Sequence, residues 1–474
     1  MTAKVTAPQA LYHGIEQGQD QHRALAFLGI PYAAPPLGTL RFRPPEPLAP
    51  GGEINATAYG NAPIQDPPPV TDWSIHRAPQ SYGEDCLNLN LWTPAADGKR
   101  RPVIVHLFGG GFATGSANVG HFNGAAFASA NDVVLVRPNV RTGALGFLHL
   151  AEHFPGLDQS NRSMLDLAAA LRWVRANIEA FGGDPQNVTL AGMSSGGFTA
   201  AALFGTADGP TLFDKCWLLS GYATRIQSPE RAAEIAADFL TRAGVAPGDE
   251  AGLAALSAED ILRHQAEVVA VNLAERSMPG GKTLGIVQDG TTLPRHPEQA
   301  LRDGALKDCP LVLGRTRHEA RLWYATGRMG TVDEARFRQT IARFDGDSAV
   351  ETELARWNAA MPGADWQAKE EDFLTDRIYR RATAANAAAQ RAGGGRAWVY
   401  EFAWAPKPPH DWLGATHGSD ESFVYGLHDI DKVPVALTDP VGARAVAAET
   451  EAALIQFMRD GDPGWGADLR VFGD

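Results

Sequence analysis

Short runs of apolar residues closed off by turn formers recur along the chain: Val103-Ile104-Val105, Val133-Val134-Leu135-Val136, Val188-Thr189-Leu190, Leu311-Val312-Leu313 and Trp398-Val399-Tyr400. Their length and their bounding residues predict buried strands. Between the runs the period changes. From Met164 to Ile178 the residues Leu167, Leu171, Val174 and Ile178 recur three or four apart, which predicts one helix; Asp166 sits near its start, where a negative charge suits the helix dipole. Alternating strand and helix predicts an α/β fold around a largely parallel sheet, with any site in the loops at the carboxyl ends of the strands. Residues 228–270 and 331–390 break the alternation, being rich in Ala, Arg and Glu at helical spacing, and predict helical insertions packed over or beside the sheet. Pro67-Pro68-Pro69 and Gly393-Gly394-Gly395 read as loops. With no linker and no internal repeat, one domain over 1–474 is the expected organisation.

One predicted strand runs straight into a motif. Leu190-Ala191-Gly192-Met193-Ser194-Ser195-Gly196-Gly197 contains G-x-S-x-G, followed by an Ala-rich, helix-compatible stretch. The five-residue spacing alone is a weak signal, but its place between strand and helix makes Ser194 a candidate nucleophile. A sharp strand-to-helix turn strains the serine backbone, and glycines on both sides remove the side chains that would clash there. The hydroxyl then stands beside a helix amino terminus, whose amides favour negative charge. Phe108-Gly109-Gly110-Gly111-Phe112 follows another strand. Its bare amides suit an oxyanion hole, where each donor lowers a barrier by roughly 2.7–4 kcal/mol. The loop lacks the Lys-Ser/Thr of a P-loop and the spacing of a dinucleotide fingerprint; a plain structural turn is the other reading.

Composition narrows the partners. At 474 residues the length alone would allow two or three domains, and 44% hydrophobic with 20% charged residues describes a soluble globular chain. A formal charge of -13 argues against a nucleic-acid backbone or an anionic membrane as partner. The start, MTAKVTAPQALYHGIEQ, has no apolar stretch behind a basic one, and no apolar run nears a membrane span. Cys86, Cys216 and Cys309 are too few and too scattered for a disulfide framework or a four-ligand zinc site. The expectation is a cytoplasmic protein with no metal.

Beyond these motifs, the chain resembles the type B carboxylesterases, the family of the cholinesterases and bacterial p-nitrobenzyl esterases, nearly from end to end. The likeness is carried by Phe27-Leu28-Gly29-Ile30-Pro31-Tyr32-Ala33-Ala34-Pro35-Pro36 with Leu40-Arg41-Phe42, by Glu84-Asp85-Cys86-Leu87-Asn88-Leu89-Asn90, and by the lead into the elbow, Ala176-Asn177-Ile178 through Phe181-Gly182-Gly183-Asp184-Pro185 and Asn187-Val188-Thr189. It implies an α/β-hydrolase fold and a serine carboxylesterase that works through an acyl-enzyme, takes a small-molecule ester and needs no cofactor. By the same resemblance the oxyanion donors are the amides of Gly110, Gly111 and Ser195. The acid is Glu319, in Val312-Leu313-Gly314-Arg315-Thr316-Arg317-His318-Glu319, and the base is His417, in Gly414-Ala415-Thr416-His417-Gly418. Ser220 resembles a serine that the family keeps near its acid.

Alternatives stay open at this point. Asp289 or Asp376 stands as a substitute acid and His428 as a substitute base. His318-Glu319 opens like the zinc signature H-E-x-x-H, but position 322 is Leu. Phe108, Phe112, Trp323 and Tyr324 are candidates for lining a substrate cleft or for ordinary core packing. A binding protein on the same fold and a hydrolase or acyltransferase acting on amide, carbamate or thioester bonds are the rival functions; oligomeric state has no signature.

The chain also departs from the family. Met193 stands where the family's elbow usually has glutamate and Ser195 where it has alanine, while Asp420 stands where a second glutamate is common. Phe108 replaces a frequent histidine, and Ile64 replaces the cysteine that pairs with the equivalent of Cys86 in secreted members, so Cys86 is expected to be a small buried hydrophobe.

Overall fold

The computed structural model describes residues 2–474 apart from 68–69, 76–79, 119–122, 158, 271–272, 328 and 467–468; Pro68 and Pro69 of the expected proline loop lie outside the described residues. The strands are, in chain order, β1 (Thr2–Thr6), β2 (Leu11–Gln17), β3 (Ala24–Pro31), β4 (Glu53–Asn55), β5 (Asn88–Thr93), β6 (Arg101–Leu107) and β7 (Val134–Pro138). They continue with β8 (Gly183–Met193), β9 (Lys215–Leu219), β10 (Ile226–Gln227), β11 (Ile286–Val287), β12 (Leu311–Thr316), β13 (Ala397–Phe402) and β14 (Arg470–Phe472). Among the described residues β10 and β11 form a separate pair, and the other strands build one sheet in the order β1-β2-β3-β5-β7-β6-β8-β9-β12-β13-β14, with β4 beside β2.

The expected apolar runs fall in β6, β7, β8, β12 and β13, with Val133 just outside β7. From β7 through β6, β8, β9, β12 and β13 to β14 every pairing is parallel. Continuous apolar sequence suits these strands because both faces are covered: Val103 and Val105 enter one core and Ile104 the other, as do Leu311 and Leu313 against Val312. The antiparallel arm β1-β2-β3-β5 gave no comparable signal. In β5 the buried Asn88 and Asn90 interrupt the apolar run; Asn90 accepts from the Gly29 amide at 2.9 Å and donates to Asn118 at 3.0 Å, so its burial is compensated within the fold.

The predicted helix spans Arg162–Asn177. Asp166 corrects one expectation, because it serves a buried ion pair and not the helix dipole. Its carboxylate accepts from Arg141 Nε at 2.9 Å, Nη2 at 2.6 Å and the Arg141 amide at 3.0 Å. Removing one member of such a pair leaves the other charge buried, so Asp166→Ala is expected to lose about 3–5 kcal/mol of stability in urea unfolding.

Both insertions are helical. The first holds Pro229–Ala243, Glu250–Ala255 and Ala258–Val268; the second holds Glu334–Asp345, Val350–Ala360, Trp366–Thr375 and Arg381–Ala392. Ser228, Asp333 and Asp365 start three of these helices by accepting an amide hydrogen bond in the first turn. Among the described residues no helix is long and apolar enough to cross a membrane. Cys86, Cys216 and Cys309 are buried free thiols.

Candidate active site

β8 ends at Met193, and the helix Ser195–Ala202 begins one residue past Ser194. Ser194 makes the turn with φ 52° and ψ −124°, a conformation that costs of order 1–3 kcal/mol for a residue with a side chain. The flanking glycines are required by close approach: a Cβ on Gly192 would lie 2.7 Å from the Gly196 backbone, and one on Gly196 would collide with the carbonyl oxygens of Leu107 and Phe108. The Ser194 amide donates to the Leu219 carbonyl at 2.8 Å, tying the turn to β9.

Two loops at the same end of the sheet bring the other groups. Glu319 follows β12 and is fully buried; its Oε1 accepts from Ser220 Oγ at 2.6 Å and from the Thr316 amide at 2.8 Å. The loop carrying His417 is locked to this one by reciprocal bonds, His318 amide to Ala415 carbonyl at 2.9 Å and Ala415 amide to His318 Nδ1 at 3.2 Å. His417 Nδ1 lies 2.5 Å from Glu319 Oε2, and its Nε2 lies 2.7 Å from Ser194 Oγ. A carboxylate only accepts, so Nδ1 carries the proton and Nε2 is left to accept from the serine hydroxyl. Burial and the nearby Arg321 and Arg317 push His318 down to about 4, so it remains a neutral acceptor for the Ala415 amide at neutral pH.

The glycine loop abuts the turn. A Cβ on Gly109 would lie 3.0 Å from Ser194 Cβ, and Gly110, Gly111 and Phe112 all have positive φ. Gln65 braces this loop, its amide donating to the Gly115 carbonyl at 2.7 Å and accepting from the Gly115 amide at 2.8 Å. The substitute acids and base are engaged elsewhere. Asp289 caps a turn at Thr291, Thr292 and Leu293, Asp376 pairs with Arg377 and Arg381, and His428 pairs with Glu451 at 2.9 Å.

The model of the carboxylesterase family matches residues 2–468. The chain belongs to the carboxylesterase family. Para-nitrobenzyl esterase of Bacillus subtilis (strain 168) is 34% identical over 470 residues, covering 98% of this chain and 91% of that protein. Phenmedipham hydrolase of Pseudarthrobacter oxydans is 32% identical over 445 residues, 92% of this chain and 86% of its own. The crystal structure of carboxylesterase EST55 of Geobacillus stearothermophilus superposes with a TM-score of 0.85 at 32% identity, covering 99% of this chain and 93% of that one. This carboxylesterase therefore has the α/β-hydrolase fold and hydrolyses carboxylic esters in a serine-dependent reaction.

The departures from the family have physical consequences in this esterase. Met193 packs between the glycine loop and the base loop, since a Cβ on Gly109 would meet its sulfur at 2.7 Å and one on Gly418 its terminal methyl at 2.6 Å. Asp420 is fully buried; Tyr400 Oη donates to its Oδ2 at 2.8 Å, and its Oδ1 has no partner among the described residues. Burial, then the nearby Glu319 charge, push this carboxyl up to about 7. In the unfolded chain it ionises near 4, so between those values the folded state holds the extra proton and stability falls as pH rises. The residue contributes no such loss below the unfolded value. Asp420→Asn is expected to spare about 2–3 kcal/mol of the stability that the wild type loses between pH 5 and pH 8, measured by denaturant unfolding at both.

A cavity of about 700 Å³ is reached through Phe112, which follows the glycine loop, and Phe198, in the helix that follows Ser194; Arg225 and Ile378 also line it. Of the aromatic candidates, Phe112 borders it, while Phe108 and Trp323 are buried and Tyr324 hydrogen-bonds Glu370 beside a different cavity. Sequence reasoning missed Tyr379, whose ring centroid lies 5.3 Å from that of His417, and Arg225. Tyr379 sits in a π-helical turn, Asp376–Arg380, a distortion frequent at functional sites; nothing in the local pattern announces it.

Proposed function

We propose that Ser194 is the nucleophile, His417 the general base and Glu319 the acid that orients it, with the amides of Gly110, Gly111 and Ser195 as oxyanion donors. The observation that carries this reading is the unbroken chain Glu319 Oε2, His417 Nδ1, His417 Nε2, Ser194 Oγ, with links of 2.5 and 2.7 Å, ending on a serine at positive φ. His417 Nε2 takes the hydroxyl proton as Ser194 Oγ attacks the ester carbonyl carbon, and the carbonyl oxygen gains negative charge against the loop amides. Glu319 stabilises the imidazolium, which then gives its proton to the departing alcohol oxygen. Water attacks the acyl-enzyme by the same route and releases the acid. Ser220 holds the acid, Met193 fills the space between the two loops, and Asp420 stays protonated or ionised behind them according to pH.

The reading extends to organisation and place. Residues 1–474 act as one domain in which the helical insertions at about 228–270 and 331–390 wall the cleft; Arg225, which precedes the first, and Ile378, within the second, both border the cavity. The buried free thiols favour a reducing compartment, the cytoplasm.

The test is hydrolysis of p-nitrophenyl acetate, butyrate and octanoate, with a fluorophosphonate probe on the same preparation. Turnover with a chain-length preference and a phosphonyl adduct on the Ser194 peptide, with fluoride displaced, are the expected results. Turnover with the adduct on another serine contradicts the reading.

A further inference from the structure

Among the described residues the cavity that Phe112 and Phe198 border is lined by five arginines, Arg225, Arg231, Arg276, Arg377 and Arg381, and by no aspartate or glutamate, in a chain whose formal charge is -13. Arg231, Arg377 and Arg381 are balanced from behind. Arg231 pairs with Glu234 at 2.7 Å, Arg381 with Asp376 at 3.0 Å, and Arg377 with Asp376, Glu353 and Asp345. Arg276 donates its Nε to the Ala270 carbonyl at 2.6 Å.

Arg225 differs. Its guanidinium lies 5.5 Å from the ring centroids of both Phe112 and Phe198, and its Nη2 donates to the Arg276 carbonyl at 2.9 Å. No carboxylate pairs with it among the described residues; burial, with only Tyr379 opposing, holds it below the ordinary arginine range. The two rings fix where it stands. Phe112 directly follows the glycine loop, and Phe198 is one helical turn beyond Ser194. A guanidinium carries five N–H donors and suits a carboxylate bidentately, and a half-buried one without a counter-ion gains most when an anion arrives. The acidic chain repels anions at long range, so this recognition must be local.

We propose that Arg225 is a specificity determinant that binds a carboxylate carried by the substrate, making esters with a free acid group preferred over neutral esters of the same shape. The proposal rests on Ser194 acting as the nucleophile, on a substrate that extends past Phe112 and Phe198 into this cavity. Two ester pairs test it with the full-length protein. Mono-p-nitrophenyl adipate against p-nitrophenyl hexanoate places the carboxylate on the acyl side; 4-carboxyphenyl acetate against 4-methylphenyl acetate places it on the alcohol side.

In at least one pair Arg225→Met is expected to lower kcat/KM for the anionic ester about 10- to 100-fold, the worth of one charge-assisted hydrogen-bonded contact, and to leave its neutral partner within about threefold. Arg225→Lys should fall between the two, because it keeps the charge and loses the fork. The pair that responds identifies the side. Equal loss on anionic and neutral esters means that Arg225 only props the two rings, and overturns the proposal. If Arg225→Met does not fold, the wild type decides: preference for the anionic member of either pair supports the proposal, and preference for the neutral member of both overturns it. The fluorophosphonate adduct separates the two failures: label on Ser194 with equal loss on both members of each pair overturns this proposal alone, and label on another serine overturns the Ser194 reading and this proposal with it.

Discussion

Ser194→Ala is expected to lose about 10⁶-fold in kcat on p-nitrophenyl acetate while its thermal unfolding stays close to that of the wild type. The hydroxyl is the only atom removed, and it takes part in the hydrogen bond from Ser194 to His417 Nε2 at 2.7 Å in a partly exposed position, so little packing is lost. Alanine must still adopt φ 52° at the turn, which keeps the backbone strain unchanged. The residual rate, about 10³–10⁴ over water, would come from the loop amides and from substrate positioning. Undiminished turnover in the purified variant, with the unfolding curve unchanged, would remove Ser194 as the nucleophile.

Glu319→Gln is expected to cost about 10⁴-fold in kcat, for a reason that the surrounding donors make specific. Oε1 already accepts from Ser220 Oγ and from the Thr316 amide, and the amide N–H cannot turn away. A glutamine must therefore present its oxygen to that side and its NH₂ to His417. Facing a donor, the imidazole takes the other tautomer, with the proton on Nε2, and can no longer accept the serine proton. Measured kcat should fall far more than KM rises, and Ser220→Ala should show a much smaller version of the loss. Equal activity of Glu319→Gln and wild type would mean that another group orients the base.

Together with Asp420→Asn, these variants separate chemistry from stability. Glu319 and Asp420 are both fully buried carboxyls near His417, yet one accepts three hydrogen bonds and the other has an oxygen without a partner among the described residues. Met193 offers no charge to either. The family's usual elbow glutamate is thus answered here by a thioether and by a carboxyl that titrates near neutrality.

What could be read from the sequence was whatever local chemistry enforces. Runs such as Val103-Ile104-Val105 had to be strands covered on both faces, and the glycines around Ser194 had to mark a turn that no side chain could share. Glu319 and His417 came only with the family resemblance, because the contacts they make span 98 and 223 residues and leave no periodic trace. Tertiary structure alone decided the rest: that Asp166 neutralises Arg141, that β1-β2-β3-β5 extend the sheet antiparallel, that Tyr379 stands beside the base, and that Arg225 faces the cavity with no carboxylate partner among the described residues. The physical reason is common to all four. Burial and charge compensation depend on which distant segments meet, and a one-dimensional pattern records each residue's preference without recording its neighbour.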